Sequence, residues 1–359
     1  MKTFKNPLFT LVSLATVLVL LLAACVPGAP EPAPASDGQN DQGGVQHQEE
    51  PAPTEEPEKP TEEPTEELTE EAETGEEEEE QESPIFSTAN EPLPPDPIPV
   101  TIITEDGRTL EGMYYPGAYN PGPVIVLMHW AGGTMYDWEV IGPWLQNRGL
   151  TPAGGGEAWK QPAWFPVLPE WASFGVLFFN FGGFGNSQGN WETGALDAKA
   201  AVIFASELED VNPNLITTMG ASIGADGAVD GCFLHQLAVE AGSASGICLG
   251  GLSLSPGNYL ESALFEYTYS QAVEGLMNST EAEKVVYCLA AEGDHESPGT
   301  CLSADMDFER YYTYIYPGSP HGMKLVVPDL FPINPALEMN TLEIYLMFLE
   351  EVYGISFAE

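Results

Sequence analysis

What the chain has least of is positive charge. Ten Lys+Arg stand against 55 Asp+Glu, a formal net charge of −45 at pH 7 over 359 residues. A surface that grips nucleic acid through its phosphates needs clustered cations, so that class of partner is excluded. Histidine is scarce as well, at five, which leaves few candidates for any step that needs an imidazole base. The shortage of bases and aromatics is uneven. Residues 26–97 hold 23 of the acids, one base (Lys59) and almost no aromatics, whereas residues 98–359 hold 32 acids, 7 bases and nearly all the Trp, Tyr and Phe. The first segment lacks the apolar material for a core, and only the second can fold around one. At roughly 100–200 residues per domain the second segment suffices for one large domain. With 32 acids against 7 bases it disfavours strongly anionic substrates and partners. No internal repeat is evident.

The N-terminus reads as a targeting segment rather than as part of the fold. Lys2 and Lys5 precede an apolar run from Leu8 to Leu22, closed by Leu22-Ala23-Ala24-Cys25. Small residues immediately before a cysteine resemble a bacterial lipoprotein signal. The resemblance implies cleavage after residue 24 and a diacylglyceryl group on the sulfur of Cys25, whose two chains hold a membrane stably. The alternative is an uncleaved anchor, for which the apolar stretch is marginal against the roughly 20 residues a span requires. Either reading places the remainder outside the cytoplasmic membrane, in the bacterial cell envelope. Residues 25–97 then form a tether: repeated Pro-Thr-Glu-Glu phrases lead into Glu76–Glu80, where like charges repel and proline blocks helix. A flexible chain of that length reaches roughly 45 Å, and its charge extends it further. A loose Ca²⁺ sponge is the weaker reading, since no spaced ligand loop is visible.

From Val100 onward strands and helices alternate. Expected strands are Val100–Thr104, Thr109–Tyr115, Val124–His129, Gly175–Asn180, Leu215–Gly220, Gly246–Leu254, Val285–Ala291 and Tyr312–Tyr316. Several are short continuous apolar runs, as in strands covered on both faces. Expected helices are Trp138–Arg148, Gly194–Glu209, Ile223–Val239, Tyr259–Leu276 and Ala336–Val352. The alternation predicts an α/β domain over 98–359: a mostly parallel eight-stranded sheet with helices on both faces.

The strongest chemical signal is Gly220-Ala221-Ser222-Ile223-Gly224, between an apolar strand and a helix. Its glycines permit a sharp strand-to-helix turn that lifts the Ser222 hydroxyl off the sheet and aims a helix N-terminus at it. The first helical N–H, that of Ile223, would face a developing oxyanion. The plainer alternative is a serine capping a helix. If Ser222 is a nucleophile, its base must come from five histidines. His47 lies in the tether, His129 precedes the serine at a strand end, His235 sits mid-helix, and His295 adjoins an acid. His321, in the loop after the last strand, has the right order and setting. Asp294, about three residues beyond the strand Val285–Ala291, is placed to orient its imidazole. Glu292 and Glu296 are reserves, and Asp305 or Asp307 would be a displaced acid. The cluster Glu292, Asp294, His295, Glu296 could also be read as metal ligands, but it has no second ligand group at recognisable spacing. The second oxyanion donor is expected from His129-Trp130-Ala131-Gly132-Gly133: the Ala131 N–H, with Trp130 as the alternative.

These motifs, over residues 98–359, resemble the α/β-hydrolase superfamily. Phe178-Phe179-Asn180-Phe181-Gly182-Gly183-Phe184-Gly185-Asn186-Ser187 is similar to that family's strand-4 segment, with Asn180 and Gly182 in place of the usual Asp and Arg. Leu254-Ser255-Pro256-Gly257-Asn258-Tyr259 and Pro320-His321-Gly322 look most like small esterases related to dienelactone hydrolases, although Ser222 stands where those enzymes have a cysteine. The resemblance implies a carboxylesterase-like serine hydrolase acting on neutral esters through an acyl-enzyme, with no metal or organic cofactor. An amidase or peptidase of the same fold, or an inactive binding module, are the alternatives. Only about 30 residues separate Ser255 from Val285, too few for a large cap domain. Phe184 and Trp191 are candidate pocket residues. Trp159, Trp164, Phe165 and Trp171 form an aromatic insertion expected to pack on the sheet, or else to dock a polymer. Four cysteines remain after Cys25 and allow three pairings. The near-neighbour set Cys232–Cys248 and Cys288–Cys301 is preferred over buried free thiols, because the second would pin the loop bearing Asp294.

Overall fold

Three strands carry side chains that are buried without exception: β3 (Gly122–Met128), β4 (Gly175–Phe179) and β7 (Val285–Ala291). Their alternate residues go to opposite sides. Ile125, Leu127, Val176, Phe178, Val285, Tyr287 and Leu289 join one apolar cluster, and Val124, Val126, Leu177, Phe179, Val286 and Cys288 the other. A strand of period two can read as a continuous apolar run only when helices cover both faces of its sheet. The computed structural model describes residues 94–148, 158–160, 165–262, 264–327 and 339–357. Residues 1–24, Cys25, most of the tether and Trp164 lie outside the described residues.

The sheet has eight strands in the order β1-β2-β4-β3-β5-β6-β7-β8. The remaining strands are β1 (Ile98–Ile103), β2 (Thr109–Tyr115), β5 (Val211–Ala221), β6 (Cys248–Leu254) and β8 (Tyr311–Tyr316). Strand β2 runs antiparallel to both β1 and β4, and β4 through β8 are parallel. Edge position shows in the side chains: β1 is mostly exposed, and β2 alternates between buried and half-buried. One face is covered by α1 (Ile141–Leu145) and α6 (Thr341–Tyr353). The other is covered by α2 (Gly194–Ser206), α3 (Ile223–Glu240), α4 (Tyr269–Met277) and α5 (Ser297–Ala304). This is the architecture expected from the alternation, and no large domain intervenes between β6 and β7.

Three expected helices differ from those found. The helix placed at Tyr259–Leu276 begins only at Tyr269, where Thr268 and Gln271 form a reciprocal capping box. Residues 257–260 cannot join it, because the Asp226 carboxylate takes their backbone N–H groups. The helix placed at Ala336–Val352 starts at Thr341, behind an Asn340–Glu343 capping box, and ends on left-handed Gly354. The segment expected as Trp138–Arg148 divides into a 3-10 turn, Met135–Trp138, and the short α1. Helix α5 was not anticipated; Pro298 opens it and Cys301 ties it to the sheet.

The two near-neighbour disulfides, Cys232–Cys248 and Cys288–Cys301, are formed, with Cα–Cα distances of 5.5 and 5.6 Å. The first links α3 to β6 and the second links β7 to α5. Trp159 and Phe165 are buried, Trp159 edge-on to Trp130 and Phe165 edge-on to Trp144, while Trp171 stacks on Phe357. These three therefore pack on the fold rather than presenting a docking surface.

Candidate active site

Ser222 sits at the turn between β5 and α3 with φ 53° and ψ −116°, a conformation that L residues rarely adopt. Such strain persists only where the surroundings over-determine it. A Cβ on Gly220 would lie 1.8 Å from the Gly224 carbonyl oxygen, and one on Gly224 would lie 2.2 Å from that of Met128. Both glycines are therefore needed for the strand and the first helical turn to approach so closely. The Ser222 N–H donates to the Leu254 carbonyl at 2.8 Å, tying the turn to β6.

The structure brings together three residues that lie far apart in the sequence. His321 Nε2 is 2.8 Å from Ser222 Oγ. His321 Nδ1 is 2.9 and 3.1 Å from the two carboxylate oxygens of Asp294. Asp294 is 6% exposed and the His321 side chain 34%, so the carboxylate is shielded while the imidazole edge meets solvent. With Nδ1–H donating to Asp294, Nε2 is left to accept the Ser222 proton. Asp294 follows β7 and His321 follows β8, adjacent parallel strands whose C-terminal ends lie on the same side as that of β5. Glu292, His295 and Glu296 are exposed beside this arrangement. Among the described residues no group of acidic, histidine or cysteine side chains could hold a metal ion.

The loop after β3 is held by buried polar contacts. His129 is fully buried; its Nε2 accepts from the Phe181 N–H at 3.1 Å, and its Nδ1 is 2.7 Å from the Trp130 carbonyl oxygen. That pattern assigns the proton to Nδ1. Burial pushes His129 down to about 4, so the ring is neutral. The Trp130 carbonyl also accepts from Gly133 N–H. Locking that carbonyl orients the whole Trp130–Ala131 peptide, whose N–H points opposite to it. The Trp130 indole N–H donates to Asp137 at 3.0 Å. The same ring lies beside Gly322, where an added Cβ would be 3.1 Å from it and 3.6 Å from the Cβ of Ser222. Ala131 is exposed at the loop crest. Ile223 is the first residue of α3, where backbone N–H groups have no partner within the helix.

Two further residues serve this loop without a signal in the local sequence. Asn180, at the end of β4, accepts from the Met135 N–H at 2.9 Å and donates to Glu111 at 2.8 Å. Glu111 on β2 also accepts from the backbone and side chain of Asn186. Where the resemblance expected Asp, Asn180 thus bridges two strands to the loop. Of the candidate pocket residues, Phe184 is half-buried and packs edge-on to His129, with ring centroids 4.8 Å apart. Trp191 is 53% exposed, on a 3-10 turn capped by Asn190. His235 is buried against the Ser245 carbonyl and takes no part in the site. The surroundings are negative: Arg108, Arg148, Lys160, Lys199 and Arg310 are engaged by carboxylates, and Lys284 is buried on the Cys248 carbonyl.

No protein-family model and no curated protein matches the chain. Among solved structures it is similar to the alpha/beta hydrolase GrgF from Penicillium sp. sh18, at 14% identity and TM-score 0.51, covering 73% of this chain and 100% of that one. It is also similar to the Pyrococcus furiosus esterase Pf2001, at 16% identity and TM-score 0.46, covering 72% of this chain and 90% of the other. A third is an alpha-beta hydrolase from Vibrio vulnificus, at 15% identity and TM-score 0.45, covering 72% and 80%. The sheet order and the GrgF likeness together define the class: the chain has the α/β-hydrolase fold.

Proposed function

We propose that this chain is a serine hydrolase that cleaves carboxylic esters through an acyl-enzyme. The observation that carries the reading is the contact of His321 Nε2 with Ser222 Oγ at 2.8 Å, on a serine held at a strained strand-to-helix turn. Fold alone would not support it, because one fold hosts many functions. In the proposed reaction Ser222 Oγ attacks the ester carbonyl carbon as its proton passes to His321 Nε2. Asp294 holds the imidazole by Nδ1 and stabilises the imidazolium. The oxyanion accepts hydrogen bonds from the backbone N–H groups of Ile223 and Ala131. His321 then returns the proton to the departing alkoxide. A water, deprotonated by the same nitrogen, attacks the acyl-Ser222 ester, and the acid leaves with Ser222 reprotonated. The negative surroundings favour departure of a carboxylate product.

The same proposal places the domain outside the cytoplasmic membrane, held through lipidated Cys25 and a spacer of residues 26–97. It rests on the sequence of the first 97 residues. Among the described residues no helix is long and apolar enough to cross a membrane. The test is hydrolysis of p-nitrophenyl butyrate and of its p-nitroanilide by the full chain and by Ser222→Ala. Ester hydrolysis lost in the variant supports the reading. Faster cleavage of the anilide would replace esterase by amidase, and equal ester rates for the two proteins would remove Ser222 from the chemistry.

A further inference from the structure

Helix α3 carries, one turn after Ser222, a carboxylate that the proposed reaction does not use. Asp226 is fully buried, and no cation faces it. Its oxygens accept backbone N–H groups of the loop after β6: Gly257 at 2.9 Å, Leu260 at 3.3 Å, and Tyr259. A buried carboxylate without a counter-ion is costly, and three N–H donors are the compensation this loop supplies.

The loop is one that would not hold its shape alone. Ser255 and Asn258 both have positive φ, 62° and 58°, where residues with a Cβ are strained. Asn258 is fixed from the other side by accepting the Tyr269 N–H at 2.7 Å. The loop touches His321 at two points. Ser255 Oγ accepts the N–H of Gly322, the next residue, at 3.0 Å, and the Tyr259 ring stands edge-on to the imidazole with centroids 6.1 Å apart.

We propose that Asp226 is a positioning residue: its carboxylate fixes the strained loop Ser255–Leu260, and that loop holds His321 in register with Ser222. The inference rests on the reading of Ser222 and His321 as the reacting pair. It ties nucleophile and base to one helix, since α3 begins at the elbow and anchors the clamp on the base. It also makes the clamp sensitive to acid. The ionised form is the one able to accept all three N–H groups. The titratable groups around it are Asp230 on the same helix, Glu296 at the start of α5, Tyr259 in the loop and Tyr269 on α4, with Asp294 beyond Tyr259. None of these supplies positive charge, and burial pushes Asp226 upward. Acidification therefore protonates Asp226 and loosens the loop.

The test uses the full chain as wild type, Asp226→Asn and Ser255→Ala. Steady-state kinetics on p-nitrophenyl butyrate are combined with fluorophosphonate labelling rates across the acid limb. Asp226→Asn is expected to lower kcat by roughly 10–100-fold with KM within about threefold, the signature of lost alignment rather than lost binding. The wild-type labelling rate is expected to fall with acid more steeply than one protonation allows, and the variant's rate to fall as one protonation. A labelled Asp226→Asn with wild-type kcat and acid limb overturns the positioning role. If Asp226→Asn does not fold, Ser255→Ala decides: a fall of about 10-fold in kcat supports the clamp, and a wild-type kcat overturns it. A folded wild type that takes no label overturns the reading of Ser222 itself, which is a separate failure.

Discussion

Gly224→Ala adds one methyl group behind the nucleophile and tests how tightly the elbow is built. The added Cβ would lie 2.2 Å from the Met128 carbonyl oxygen and 2.7 Å from that of His129. Both are backbone atoms at the end of β3, which pairs with neighbours on both sides, so neither can yield as a flexible side chain could. Contact without strain needs about 3.4 Å, and the first turn of α3 must therefore retreat by about 1 Å. Overpacking of this kind costs about 1–3 kcal/mol, which a folded domain survives. The catalytic cost is larger, because the same turn carries Ser222 and the Ile223 N–H, and a 1 Å misplacement is worth about 10²-fold in rate. The assay pairs thermal unfolding with the second-order rate of fluorophosphonate labelling. The expected result is a folded protein labelled about 100 times more slowly. A labelling rate within about threefold of wild type would refute the claim that close approach of α3 to β3 sets the geometry of the serine.

Replacing Cys288 and Cys301 together by alanine opens a loop of sequence separation 13, worth about 3 kcal/mol. Thermal unfolding should fall by roughly 6–12 °C, and activity should fall with it because Asp294 lies inside that loop; an unchanged transition would contradict this. Asn180→Ala removes the acceptor of the Met135 N–H and a donor to Glu111, and should lower kcat about 10-fold while leaving the ester KM in place; a normal kcat would show that the loop after β3 keeps its shape without Asn180. Burial holds His129 down to about 4, against about 6.5 in the unfolded chain. The unfolded state then binds more protons across that window, so His129 withdraws stability as pH falls from about 6.5 to about 4, up to about 3 kcal/mol in all. The buried acids Asp226 and Asp230 are raised and act in the opposite sense, so the measurement is the stability difference between wild type and His129→Gln by denaturant titration at each pH. That difference should shift by this amount in favour of the variant on acidification, and a pH-independent difference would refute the assignment.

The parts of the fold legible in the sequence are those where one physical requirement dominates. β3, β4 and β7 must be apolar on both faces because helices cover both, so their runs stand out and their bounds fall within a few residues of those found. The Gly220–Gly224 turn is legible because nothing larger than hydrogen fits behind the serine at either end. What the local pattern concealed depends on contacts distant in sequence. The first part of the segment expected as a helix from Tyr259 is held as a loop by Asp226, more than 30 residues earlier, and that carboxylate looks in the sequence like any polar residue on a helix. Asn180 is a departure from the family motif when read alone, and only the fold shows that it joins Glu111 to the loop beside the serine. Helix α5 has a weak apolar pattern and is stabilised by its cross-link to β7. Trp191 drew notice as a large aromatic following a strand, yet its exposure places it on the surface.

The central claim is that Ser222 is an activated nucleophile with His321 as its base and Asp294 behind it. The most direct measurement is to react the full chain with a fluorophosphonate, digest it and locate the added mass. The account predicts a single adduct on the peptide containing Ser222, abolished by Ser222→Ala and strongly slowed by His321→Ala. An adduct on another residue, or labelling of Ser222 that is indifferent to the loss of His321, would contradict it.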